Sequence, residues 1–270
     1  MHRVVSKPAS ILTILIAVLA IAASAGGLLI DGLYRDNAFV VSTWRGTDLV
    51  TLVVGVPLLV SALILARGGS APAYLVWLGL VDAMLYNYGF YLFGAAFNAF
   101  FMLYAAIVAL SIWTLIFGLI RLDAPGLRDR FGPRTPVRLI AGFMLFVALG
   151  LGVIYVAQWL GFIASGQLPG IVVASGHPTS VVFALDLTLV IPFLIVGGIW
   201  LWRRRPWGYV IGAIITVKGA VYMLGLCAAT LTAYRAGTVE DLSEIGLWGA
   251  IGVGCLLAAT ALLANLRDGT

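Results

Sequence analysis

Charged residues are scarce in this sequence. Only 10% of its 270 residues are Asp, Glu, Lys or Arg, whereas a soluble domain carries about 25%. Hydrophobic residues make up 62% of the chain, and its mean hydropathy is +1.09. This composition excludes an ordinary soluble domain and indicates an all-α integral membrane protein, whose main partner is the lipid bilayer.

Cysteine and histidine are also scarce. Cys227 and Cys255 both fall in apolar runs, so they imply no disulfide framework and are interpreted as small core residues. His2 is terminal and His177 lies in an outer loop. The sequence therefore offers no intramembrane histidine pair for haem and no metal-ligand cluster, and we predict no cofactor.

Nucleotide-binding and nucleophilic motifs are missing as well. The sequence contains neither G-x-x-x-x-G-K-[ST] nor G-x-S-x-G. Ser61, Ser111 and Thr216 lack the histidine base that nucleophilic catalysis usually needs. We therefore name no catalytic residue.

The apolar runs that are present predict eight membrane spans. A helix needs about 20 apolar residues to cross a bilayer. The stretch from 73 to 120 is too long for one crossing, so we divide it at a tight hairpin, Gly94-Ala-Ala-Phe97. The predicted spans are 10–30, 48–66, 73–94, 97–120, 137–163, 180–202, 207–234 and 245–266.

Basic residues gather on alternate loops, as the positive-inside rule requires. Only Arg35, Arg45 and Arg235 fall on the outer side, so both termini are predicted to be cytoplasmic and we expect no nucleic-acid partner. The inner side carries Arg3, Lys7, Arg67, Arg121, Arg128, Arg130, Arg134, Arg138, Arg203, Arg204, Arg205 and Arg267.

The first span has some features of a cleavable signal peptide, namely a basic start, an apolar run and small residues at Ala23-Ser-Ala25. Apolarity continues to Ile30, so we favour an uncleaved helix. Cleavage would leave seven spans and an outer N-terminus, and mass spectrometry of the purified protein distinguishes the two.

Similar residues recur at a nearly constant spacing and predict a parallel tandem repeat. Its two four-helix halves, 1–120 and 137–270, are joined by a flexible linker, 121–136. Arg67 and Arg203, like Tyr86 and Tyr222, lie 136 residues apart. The pairs Pro57/Pro192 and Asp48/Asp186 deviate from that offset by one and two residues.

Lys218 stands near the middle of the seventh predicted span. A lysine at the bilayer centre costs from about 3 to more than 10 kcal/mol, so it must face protein or water and hold a partner. Asp82 occupies the matching position of the third span, and both lie about 14 to 17 Å above the inner surface. We predict a buried group with Asp82 as the leading partner and Asp186 as the second.

Polar side chains accompany this group and are costly in lipid unless they find partners. The functional interpretation is a binding cavity or proton pathway. The alternative is that the ion pair only fixes helix register and that the aromatics belong to an interfacial belt or the core. The candidate site residues are Asp82, Lys218, Asp186, Tyr86, Tyr222, Asn87, Tyr91 and Asn98.

Two outer segments likewise have one functional and one structural interpretation. Residues 31–48 mix charge with aromatics and form either a lid or an interfacial segment. His177 is either a structural residue or a proton or ligand contact.

Four segments together, DLVTLVVGVPLL, YNYGFYLFGAAFN, ALDLTLVIP and RRRPWGYVIGAIITVKG, lie within residues 40–225. In these segments the chain resembles a group of bacterial polytopic membrane proteins to which no activity is attached. The resemblance implies a bacterial inner-membrane protein and assigns no functional residue.

Three functions follow as hypotheses. The first is binding or transport of an unknown small molecule or proton through a polar pocket. The second is an intramembrane enzyme that acts on a lipid or quinone-like substrate, with the aspartates as acid or base. The third is a non-catalytic assembly partner, since Gly246, Gly249, Gly252 and Gly254 permit close helix approach.

Overall fold

The computed structural model describes residues 5–267, and this part of the chain is helical without a regular β-strand. Eight long helices are named here in chain order. They are α1 (Lys7–Leu29), α2 (Ala38–Arg67), α3 (Ala71–Gly94), α4 (Phe101–Ile120), α5 (Val137–Ser165), α6 (Val181–Trp202), α7 (Pro206–Arg235) and α8 (Ser243–Leu263).

Seven of these helices within 5–267, all except α3, are long and apolar enough to cross a membrane. α3 has the length, 24 residues, but its apolar sequence is interrupted by Asp82, Asn87 and several tyrosines. Sixteen of its residues are buried among other helices. Polar side chains on a helix buried in this way can find hydrogen-bond partners on neighbouring helices, so they need not face lipid unpaired.

Two helices contain a π-helical turn at equivalent places. Thr51–Gly55 lies in α2 and Asp186–Val190 lies in α6. Each turn ends two residues before the proline of its helix, Pro57 or Pro192. Proline has no N–H and its ring clashes with the carbonyl four residues earlier, so the preceding turn widens.

α7 forms the centre of the bundle, and α2, α3, α6 and α8 pack against it. Gly46 allows α2 to cross it closely, because a Cβ built on Gly46 would lie 2.5 Å from the Ala228 carbonyl carbon. Gly79 plays the same part for α3, where a Cβ would lie 2.7 Å from that of Val217.

The second helix begins ten residues before the predicted start of its span. Residues 38–48, predicted as part of an outer lid or interfacial segment, are helical. Asn37 caps this helix by accepting a hydrogen bond from Val40 N (2.9 Å). The hydroxyls of Ser42 and Thr43 donate to backbone carbonyls one turn back, so their hydrogen-bonding capacity is satisfied within the helix.

The predicted linker contacts the helix bundle. Residues 121–136 contain a short helix, Ala124–Arg128, that packs against α7. Gly132 N donates to Asn265 O (2.9 Å), which ties the segment to the end of α8. The predicted hairpin lies where expected but is longer, between Gly94 and Phe101.

We expect Gly46→Ala to destabilise the protein by about 1–3 kcal/mol, because the added methyl group collides with the backbone of α7. Gly249→Ala in α8 is the matched control, since nothing lies within 4 Å of its Cβ position. Thermal melting of both purified variants in one detergent measures the difference. Equal melting temperatures would contradict the close crossing.

Candidate functional site

Lys218 is enclosed in the bundle with only 4% of its surface exposed. Its Nζ lies 3.8 Å from the ring centroid of Tyr86, a cation–π contact worth about 2 kcal/mol when shielded from water. Asp82 and Asp186 both lie close enough to act electrostatically on this ammonium. Among residues 5–267, however, no carboxylate oxygen lies within 4.0 Å of Nζ.

Asp186 begins the π-helical turn of α6 and is 6% exposed. Two tyrosines hold its carboxyl group. Tyr86 Oη on α3 donates to one oxygen at 2.5 Å, and Tyr155 Oη on α5 donates to the other at 2.6 Å. Hydrogen bonds of this kind satisfy a carboxyl group that would otherwise be costly to bury.

Tyr86 therefore connects three helices. Its hydroxyl reaches α6 and its ring face lies beneath Lys218 of α7. The ring of Tyr222, also on α7, meets it edge-on with centroids 4.8 Å apart. Asp82 lies one turn before Tyr86 on α3 and is half-buried. Its carboxyl group interacts with the Lys218 ammonium through charge and without direct contact.

A cavity of about 500 Å³ adjoins this group. Lys218, Asp186, Tyr222 and Asn87 contribute to its wall, while Asp82 does not. Its volume lies within the range of small-molecule sites, about 300–1,000 Å³. The cavity extends from mid-bundle to the end that bears the 31–37 and 166–180 connections, since Phe39 and His177 also line it.

Two of the predicted site residues have other roles. Tyr91 belongs to a second group around Asp48, although its side chain also lines the cavity. Asn98 closes the turn between α3 and α4, since its amide bonds to Ala96 O and Phe100 N. Asn87 donates to Thr51 Oγ1 (3.3 Å) at the π-helical turn of α2.

Asp48 is a buried carboxyl group, although its sequence position predicts that it lies in the outer segment 31–48. It is 1% exposed and accepts hydrogen bonds from Tyr34 (2.6 Å) and Tyr91 (2.9 Å). The predicted repeat was a signal for the burial of Asp48, because it pairs Asp48 with Asp186. Two tyrosines hold Asp186 in the same manner.

Tyr34 lies in the turn between α1 and α2, outside both helices. Burial raises the pKa of its phenol above the ordinary value, and the neighbouring Asp48 adds to this effect. Tyr34 therefore remains protonated and keeps its role as a donor.

His177 joins the outer connections rather than the polar group. Its Nε2 lies 3.4 Å from Asp36 Oδ1, which also accepts from Ala96 N at 3.0 Å. Asn37 Nδ2 donates to Ala174 O (2.9 Å) beside it. These bonds hold three outer turns together at the end of the cavity.

The glycines of α8 are divided between two roles. A Cβ on Gly254 would lie 2.5 Å from the Phe143 ring of α5, and one on Gly252 would lie 3.0 Å from Met223 of α7. Both therefore serve packing within the chain. Gly246 and Gly249 have nothing within 4 Å of the corresponding position.

Long apolar helices around an enclosed polar group define a multi-pass helical membrane protein. Comparison of the chain with protein-family models, with curated proteins and with solved structures finds no match. The resemblance to bacterial polytopic proteins thus stays a prediction.

We expect Tyr86→Phe to destabilise the protein by about 1.5–3 kcal/mol, because it removes a donor to Asp186 and keeps the ring beneath Lys218. Tyr155→Phe removes the other donor. The double variant should lose more than the sum of the single losses, since both serve one carboxyl group.

Tyr209→Phe is the control for this series, because the Tyr209 ring is buried and its hydroxyl bonds to no side chain or backbone group of residues 5–267. Unfolding in mixed micelles measures all four variants. Strict additivity, or a control loss as large as that of Tyr86→Phe, would disprove the shared carboxyl group.

Proposed function

We propose that this chain is a bacterial inner-membrane protein that binds or moves a small molecule or proton through the cavity between its helices. Lys218 is its central cation and Asp82 the counter-ion. Asp186 is a second carboxyl group, which Tyr86 holds in place. Tyr222 supplies a hydroxyl group at the cavity wall.

One observation carries this proposal. A cavity of about 500 Å³ has a buried ammonium, a buried carboxyl group and a phenol in the same wall. Ionisable residues within membrane helices are expensive to keep and usually mark ligand or ion pathways. If Lys218 only fixed helix register, tightly packed aliphatic side chains around it would serve better than an adjoining void.

α3 is the eighth crossing in this proposal. Its 24 residues extend about 36 Å, which exceeds the hydrocarbon thickness of about 30 Å. With eight crossings both termini lie on one side, and the excess of arginine at that end makes this side the cytoplasm. The cavity then opens outward.

The π-helical turns favour the duplication of a four-helix unit. They lie 135 residues apart and each precedes a proline. π-helical turns are rare and frequently mark functional sites, so the same turn in both halves supports a common origin as well as a common use.

Cys255 provides the experiment, because it lines the cavity from α8. In a Cys227→Ala background, we expect N-ethylmaleimide to label Cys255 in the folded protein in nanodiscs. Leu226→Trp fills the cavity from α7 and should slow this labelling at least tenfold. Mass spectrometry of the intact protein measures the rate.

Leu224→Trp is the matched control on the same helix, since Leu224 is 44% exposed and points away from the cavity. Its labelling rate should equal that of the parent. Labelling only after denaturation, or equal rates in the two tryptophan variants, would refute an accessible cavity.

A further inference from the structure

Lys218 has hydrogen-bonding capacity that the protein does not use. An ammonium group carries three donors. Within residues 5–267, Nζ lies over the Tyr86 ring and has neither a hydrogen-bond acceptor nor a carboxylate in direct contact. The side chain is 4% exposed and forms part of the cavity wall. The acceptor for these donors is therefore expected to come from a cavity occupant.

The charges around Lys218 limit what that occupant can be. In their ordinary ionised forms, Lys218, Asp82 and Asp186 carry one positive and two negative charges. A bound carboxylate would add a third negative charge to an enclosed, weakly polar site, which is costly. A bound ammonium would lie beside Lys218, and Asp186 already accepts bonds from two tyrosines. An uncharged acceptor adds no charge and satisfies the free donors.

The rest of the cavity suits an apolar body. Aromatic side chains contribute much of its wall, notably Phe39, Trp44, Phe90, Phe183 and Trp248. Lys218 and Asp186 are the ionisable groups of the wall at mid-bundle, and His177 and Glu244 are those near its outer end. An occupant would therefore place a polar head against α7 and an apolar portion along the aromatic wall.

The cavity also reaches the surface of the bundle at its outer end. Ile154 of α5 and Ile171 line the cavity, yet they are 49% and 38% exposed. α5 and α8 meet at Phe143 and Gly254, nearer the opposite end. Gln158 and Glu244, from the outer parts of these two helices, both line the void. An apolar molecule can thus enter from the outer leaflet as well as from water.

We propose that the cavity selects an uncharged molecule with a carbonyl acceptor on an apolar body, held by a hydrogen bond from Lys218 Nζ to the carbonyl oxygen. This inference rests on the proposed function and names the chemical class of its ligand. It requires no covalent step and no change in the oxidation state of the ligand.

Three probes of equal chain length test the class: 2-decanone, decanoate and decylamine. Each is added to the Cys227→Ala protein in phosphatidylcholine nanodiscs at a fixed lipid concentration. Protection of Cys255 from N-ethylmaleimide gives the apparent Kd of each probe. We expect 2-decanone to protect at a concentration at least tenfold lower than the two charged probes.

The variant Lys218→Met/Asp82→Asn removes the ammonium and one carboxylate together, so the formal charge of the group stays the same. A hydrogen bond from a charged donor corresponds to roughly a 10- to 100-fold change in affinity. The double variant should therefore weaken protection by 2-decanone about tenfold or more. Protection by the charged probes should change less.

Several outcomes overturn the ligand class. Decanoate or decylamine could protect as well as 2-decanone, or the double variant could retain the full preference for 2-decanone. If none of the probes protects, while Leu226→Trp still blocks labelling, the ligand class is wrong and the proposed cavity stands. If Cys255 is never labelled in the folded protein, the proposed function itself fails.

Discussion

The ammonium of Lys218 is the constraint on which the arrangement of the central helices depends. A cation inside a membrane bundle requires compensation. Here an aromatic ring lies 3.8 Å from the nitrogen, and two carboxyl groups act from beyond 4.0 Å. Because that ring belongs to Tyr86, whose hydroxyl binds Asp186, the compensation fixes α3, α6 and α7 relative to one another. A substitution at any of these side chains therefore alters the packing of all three helices.

α3 makes a similar connection to a second buried aspartate. Tyr86 and Tyr91 are five residues apart, which places them about 140° apart around a helix. One therefore reaches Asp186 of α6 and the other Asp48 of α2. The least apolar long helix is thus attached on two faces by tyrosine–aspartate hydrogen bonds. Its polarity reflects its position between helices rather than exposure to water.

Much of the fold could be predicted because length and apolarity determine where a helix can cross a bilayer. The spans at 137–163, 180–202 and 207–234 agree with α5, α6 and α7 to within two residues. The early start of α2 could not be predicted by this route, because hydropathy treats Ser42, Thr43 and Asp48 as loop residues. Their partners are backbone carbonyls one turn back and tyrosines remote in sequence, which only the folded chain brings together.

The two segments that the predicted repeat pairs, around Asp48 and Asp186, pack differently against the rest of the bundle. Gly46, two residues before Asp48, lets α2 press against α7. Ala184, two residues before Asp186, is exposed, and α6 contacts α3 mainly through Val181–Leu185. The segments that the predicted repeat pairs thus share an aspartate, a π-helical turn and a proline, but α2 crosses α7 closely whereas α6 meets α3 mainly near its start. Residues of both helices, among them Trp44 of α2 and Asp186 of α6, line the cavity that Lys218 borders.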